Sequence, residues 1–156
     1  MWYQRDASKG WQRFAGYTYG YNHSVFVQRT HDVLSLIKLA GKERPVHLIG
    51  IGKTAGPIAL AARSQAGSAI QKTFIDLDEF RFQYLTKHDD PMFVSGAVRY
   101  LDVDGLLSLC APGDLTVSGQ ESKIAIRVYK AAGAIQKIRF VDAIDFSVAK
   151  NLLGEP

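Results

Sequence analysis

The sequence predicts an α/β protein, a three-layer open sheet of about four mainly parallel strands with helices on both faces. Three observations lead there. Short apolar runs of strand length recur at residues 46–51, 69–78, 115–118 and 138–141. Stretches with apolar residues at helical spacing alternate with them, in the order helix, then strand and helix repeated. One junction, Pro45-Val46-His47-Leu48-Ile49-Gly50-Ile51-Gly52-Lys53-Thr54-Ala55-Gly56-Pro57-Ile58-Ala59-Leu60, reads as a buried strand, a glycine turn and the start of a helix. Open α/β sheets place ligands at such junctions, because the first N–H groups of the helix lack intrahelical partners.

Composition bounds the function. A chain of 156 residues is long enough for one domain with a real core, and no linker, repeat or low-complexity stretch divides it, so residues 1–156 read as a single domain. The formal charge of +4 is mild and its basic residues are scattered, which argues against nucleic acid as a partner. Cys110 is the single cysteine, so neither an internal disulfide nor a cysteine-based metal site can form. No apolar run is long enough to span a membrane, and the start Met1-Trp2-Tyr3-Gln4-Arg5-Asp6 lacks a signal-peptide core; the compartment stays open.

Along the chain, residues 1–15 are polar and aromatic without periodicity and read as a loosely ordered start. The tyrosines of Ala15-Gly16-Tyr17-Thr18-Tyr19-Gly20-Tyr21-Asn22 alternate with small residues, a pattern that serves packing more often than a sugar platform. Asn22 or Ser24 caps a helix to about Ala40 that buries Phe26, Val33, Ile37 and Ala40, with Leu34 beside them; Arg29 and Asp32 can pair on it, and Gly41 ends it. After the strand at 45–52 comes a helix to about Gly67, in which Pro57 suits the first turn. A second strand ends in the acids Asp76 and Asp78, and Asp89-Asp90-Pro91 marks a turn. Short helices follow from Ser95 or Gly96 to Tyr100 and from Val103 to Cys110, where Ala111-Pro112-Gly113 breaks the chain. Leu115-Thr116-Val117-Ser118 is a third strand, Ser122 to Ala132 a helix with Ile124, Val128 and Ala131/Ala132 inward, and Ile138-Arg139-Phe140-Val141 a fourth strand. A terminal helix runs from Phe146 to Leu153.

Four segments together carry a resemblance. They are Gly20-Tyr21-Asn22 with the helix bearing Arg29, His31 and Asp32; Val46-His47-Leu48-Ile49-Gly50 with Ala55-Gly56-Pro57; Asp89-Pro91-Met92 through Gly96-Ala97; and Leu109-Cys110-Ala111-Pro112. Over most of residues 16–150 the chain resembles the C-terminal half of α/β-hydrolases, in particular acetyl-xylan-esterase-like carboxylester hydrolases. The resemblance implies an ester hydrolase ancestry, a small ester or carbohydrate as ligand, and no cofactor.

In that fold the elbow G-x-S-x-G holds the nucleophile, and an acid and then a histidine follow in chain order. Two registers fit here. Gly50-Ile51-Gly52-Lys53-Thr54 puts Gly52 in the serine position and leaves no nucleophile; Gly52-Lys53-Thr54-Ala55-Gly56 puts Thr54 there. A β-branched residue tolerates the strained elbow angles badly, so the first register is physically easier. The acid position after the third strand falls at Gln120-Glu121, which makes Glu121 the candidate, although a solvated glutamate at a helix start is the plainer reading. After the fourth strand stand Asp142 and Asp145, while the histidines are His23, His31, His47 and His88, so no triad assembles in the expected order. The first half of the hydrolase sheet is missing too, and with it one oxyanion donor. A partial sheet exposes an edge that invites a homodimer or another partner. The catalytic candidates are therefore Thr54 and Glu121, within a truncated or degenerate hydrolase.

A rival reading takes Gly52-Lys53-Thr54 as the end of a Walker A loop and Ile75-Asp76-Leu77-Asp78-Glu79 as a Walker B strand, as in a P-loop nucleotide-binding protein or small kinase. Counting back puts His47 where the first glycine belongs, so the loop is too short to wrap phosphates. A plain anion site of Gly52, Lys53 and Thr54 at the helix start fits better. The neighbours His88, Asp89 and Asp90 read as a turn before Pro91 rather than a metal site, and Cys110 as a small buried side chain.

Overall fold

The computed structural model describes residues 20, 22–42, 44–119 and 121–144. The first helix, α1 (Val25–Ala40), begins where Ser24 Oγ accepts the Val27 N–H at 3.4 Å, and closes where the Gly41 N–H reaches Ile37 O at 2.9 Å. Phe26, Thr30 and Ile37 are its buried residues, and Thr30 satisfies its hydroxyl by donating to Phe26 O at 2.9 Å. Ala40, expected inward, is exposed, as are its neighbours Lys38 and Leu39 in the last turn. Arg29 and Asp32 are both exposed, and no ion pair joins them among the described residues.

Strand β1 (Val46–Gly50) leads through Ile51 into helix α2 (Gly52–Ala66). The helix therefore begins five residues before Pro57, which lies inside it and not in its first turn. The proline removes only the bond that would reach back to the Lys53 carbonyl, near the exposed end of the helix where water can serve it. Residues 56–63 of α2 are all buried, the continuous small and apolar run expected of a helix on a sheet.

Strand β2 (Ile70–Asp76) starts the long connection 77–114, which contains single 3₁₀ turns at Phe82–Tyr84 and Val98–Tyr100 and the short helix α3 (Asp102–Leu109). Asp102 clamps this connection: its carboxylate accepts the N–H groups of Phe82 (3.0 Å), Gln83 (2.9 Å) and Val103 (2.6 Å). Next to it Arg81 and Asp104 form a largely buried ion pair at 2.8 Å. Strand β3 (Leu115–Ser118) is buried throughout. Helix α4 (Lys123–Ala131) follows, capped by Ser122 Oγ on the Ala125 N–H at 3.1 Å, and then strand β4 (Ile138–Val141). In α4 the inward residues are Ala125 and Tyr129, one position on from the expected Ile124 and Val128; Val128 is exposed. Six of its residues are apolar or aromatic, so spacing alone leaves two faces open, and the larger Tyr129 wins because its hydroxyl finds the Gly113 carbonyl at 3.0 Å.

The four strands are parallel and lie in the order β1-β2-β3-β4, so the α/β class and the open parallel sheet are as expected. Side chains alternate across the strands. Ile75 and Val117 join Phe26, Leu60, Leu77, Val103, Leu107 and Tyr129 in the main core, beside a smaller cluster of Ile37, Ala62 and Ile70. On the opposite face of the sheet Phe74 packs with Ile144, Ile49 and Val141. The expected loosely ordered start at 1–15, the tyrosines Tyr17, Tyr19 and Tyr21, and the terminal helix 146–153 lie outside the described residues. No helix among those described is long and apolar enough to cross a membrane.

Candidate functional site

In a parallel sheet all strands end on the same side, and here pairing brings Gly50, Asp76, Ser118 and Val141 to one rim: Gly50 is level with Ile75, Asp76 with Ser118 and Ser118 with Val141. The turn from β1 to α2 lies on this rim. Its one residue in the left-handed region is Gly52, with φ +84, and a Cβ there would meet nothing within 4 Å. Space is open at Gly52; the backbone angle is what favours glycine. Thr54 lies two residues further on, in the first turn of the helix and exposed.

The helix packs unusually close to the sheet just behind this turn. A Cβ on Gly56 would come within 2.0 Å of Asp76 O, so only a glycine lets α2 cross the end of β2 at this distance. That contact also sets Asp76 beside the start of α2. Ile51, at the N-cap position, has no side chain able to accept a helix N–H. Asp76 does the work instead, from the adjacent strand: its Oδ2 accepts the Gly52 N–H at 3.2 Å, while Oδ1 accepts Ser118 Oγ–H at 2.7 Å and the Asp78 N–H at 3.2 Å. A carboxylate at a helix N-terminus is also favoured by the helix dipole. Asp78 and Glu79 then turn away with φ 45 and 58, and Gly119, φ 88, passes close to their amides.

The remaining expected residues fall around this centre. Lys53 is exposed, its Nζ 3.8 Å from Asp78 Oδ2. Both donors of the expected anion site, the Gly52 amide and the Lys53 ammonium, thus face carboxylates of the chain itself. Glu121 is exposed immediately before the Ser122 cap of α4. Asp142 follows β4 and is exposed; Asp145 is outside the described residues. His23, His31, His47 and His88 are all exposed, with His47 at the second position of β1 rather than at its rim end. One residue, Ile51, separates the end of β1 from the start of α2, so this junction has no loop that could wrap a phosphate chain.

Cys110 is buried behind α3, and its thiol donates to Leu106 O at 3.3 Å. Burial pushes that thiol from an ordinary value near 9 up to about 12, with Arg63 acting in the opposite direction. Among the described residues no group of three His, Cys, Asp or Glu side chains comes together as a metal site would require.

Asp76 and Ser118 are the residues that sequence reasoning undervalued. Asp76 was visible as an acid closing a strand; that its carboxylate would cap the helix of the preceding βα unit follows only from the parallel pairing of β1 with β2. Comparison with protein-family models, with curated proteins and with solved structures returns no match.

Proposed function

We propose that this chain is a noncatalytic α/β-hydrolase-like domain, of carboxylester-hydrolase ancestry, that keeps the strand–turn–helix elbow without its chemistry. One observation supports this above the rest: the sharp turn is occupied by Gly52, and the Gly52 amide is held by the Asp76 carboxylate. An elbow of this kind needs an oxygen or sulfur nucleophile at the turn and a base beside it. Thr54 has the hydroxyl but stands on the helix, past the turn, and no histidine follows the exposed Glu121 in the chain. An ester or carbohydrate would then be a ligand of the rim and not a substrate. Among the described residues β1 is an edge strand of the sheet, and this edge is where a second copy or another chain would add a strand.

The test is hydrolysis of a short-chain aryl ester by purified wild type beside Thr54→Ala and Glu121→Gln. The expected outcome is the same background rate in all three. Turnover by the wild type that disappears in Thr54→Ala would make the elbow an active one with threonine as its nucleophile, and the noncatalytic reading would fall.

A further inference from the structure

The rim opposite the elbow holds a cavity of about 620 Å³. It lies between the last turn of α2 (Arg63, Gly67), the start of β2 (Lys72), the turn from α3 to β3 (Cys110 to Asp114) and Lys137 before β4. Its volume is that of a small-molecule site.

Arg63 is the unusual member. Its side chain belongs to a residue only 3% exposed, inside the lining. One guanidinium nitrogen, Nη1, donates to the Gly67 carbonyl. Its Nε is fully buried and has no acceptor. Among the described residues Arg63 forms no ion pair. The carboxylate in the lining, Asp114, is held by Arg139 at 2.6 Å. The acidic groups beside Arg63 do not supply a charge either. The Tyr129 hydroxyl donates to Gly113 O at 3.0 Å and the Cys110 thiol to Leu106 O at 3.3 Å, and burial keeps both protonated. A buried cation without a counterion is costly. Yet the position is built for it: a Cβ on Gly113 would lie 1.5 Å from Arg63 Nη2, so a glycine at this turn is what lets the chain close over the guanidinium. Lys137 adds a further positive charge to the same lining.

We propose that this cavity binds a small phosphate-bearing molecule, its oxyanion set against the Arg63 guanidinium and flanked by Lys137. An oxyanion supplies the charge that Arg63 lacks, and guanidinium is the side-chain group best matched to phosphate geometry. A single phosphate fills only part of the space, so the rest admits an organic tail. This site is independent of the elbow, and neither ester assay nor elbow variant bears on it.

The probes are inorganic phosphate and phenyl phosphate, added to the full chain at pH 7.5 against sodium chloride of matched ionic strength. Melting temperature and isothermal titration are the readouts. Both probes raise the melting temperature above the chloride control, with phenyl phosphate the tighter if the tail uses the cavity. Lys137→Gln, an exposed position that leaves the core intact, weakens binding about threefold, the size of one rim charge. Lys130→Gln, exposed on α4 and outside the lining, changes nothing. Arg63→Gln, where it folds, abolishes the response; where it does not fold, Lys137→Gln decides. No rise beyond chloride, the same titration for wild type and Lys137→Gln, or a folded Arg63→Gln that still responds in full would each overturn the proposal, and Arg63 would then be a buried cap for the Gly67 carbonyl alone.

Discussion

Asp76 has three donors on one carboxylate, and they come from three separate parts of the chain: the start of α2, the loop after β2 and the end of β3. Replacing it by alanine leaves the Gly52 and Asp78 amides and the Ser118 hydroxyl without their acceptor in a half-buried place. Asp76→Ala is expected to lower the unfolding free energy by about 2 kcal/mol, the sum of a lost helix cap and orphaned donors. Asp76→Asn retains one acceptor oxygen and costs less. Urea denaturation of the two variants beside wild type measures the difference; equal midpoints for Asp76→Ala and wild type would mean that water replaces the carboxylate without loss. The residue types at this rim were legible in the sequence, since an acid at a strand end beside a strand–glycine–helix junction is visible by eye. The hydrogen bonds were not, because Gly52 and Asp76 lie 24 residues apart and meet only through strand pairing.

At the scale of elements, the closest fit in the molecule is α2 against the end of β2. An alanine at Gly56 would put its Cβ 2.0 Å from Asp76 O, which is backbone and cannot swing aside. Gly56→Ala is therefore expected to destabilise by about 3 kcal/mol, at the upper end of overpacking costs, by prising the helix from the sheet. Chemical denaturation reads the loss, and a near-native midpoint would show that α2 can shift along its axis at little cost. Strand and helix positions could be read from apolar runs and glycine breaks, because each of those signals is local. Two details could not. Pro57 looked like a first-turn residue because that is the position where a proline costs least, whereas the exposed start of α2 tolerates it at the sixth. The inward face of α4 was misplaced by one residue because Ile124, Ala125, Ile126, Val128 and Tyr129 offer two competing stripes, and the choice between them rests on the distant Gly113 carbonyl.

For the whole molecule, the buried acids set how stability depends on pH. Cys110 and Tyr129 both sit in the main core, and burial pushes both above their ordinary values, Cys110 to about 12. Below pH 9 each is protonated in the folded and the unfolded chain alike, and their contribution is fully present. As pH rises from about 9 towards 12 the unfolded chain releases these protons while the folded one keeps them, so the unfolded state gains. The melting temperature is expected to hold to about pH 8.5 and to fall above pH 9, and Cys110→Ala should make that fall shallower. A wild-type melting temperature unchanged to pH 11 would contradict the burial of both groups. The same native-state thiol is expected to resist alkylation at pH 8, for want of thiolate.

The sheet order has a consequence of a different kind. Each strand pairs only with strands adjacent to it along the chain, so β1-α2-β2 and β3-α4-β4 lie side by side and meet through the pairing of β2 with β3. The long connection 77–114 is the sole covalent bridge from one to the other. A single cut in that connection would leave the two units still joined by the β2–β3 ladder and by a core to which Leu60, Ile75, Val117 and Tyr129 all contribute, and a further unit could be added at a side without rethreading what is already there. Its architecture is that of a row, and among the described residues β1 and β4 are the ends at which it can grow.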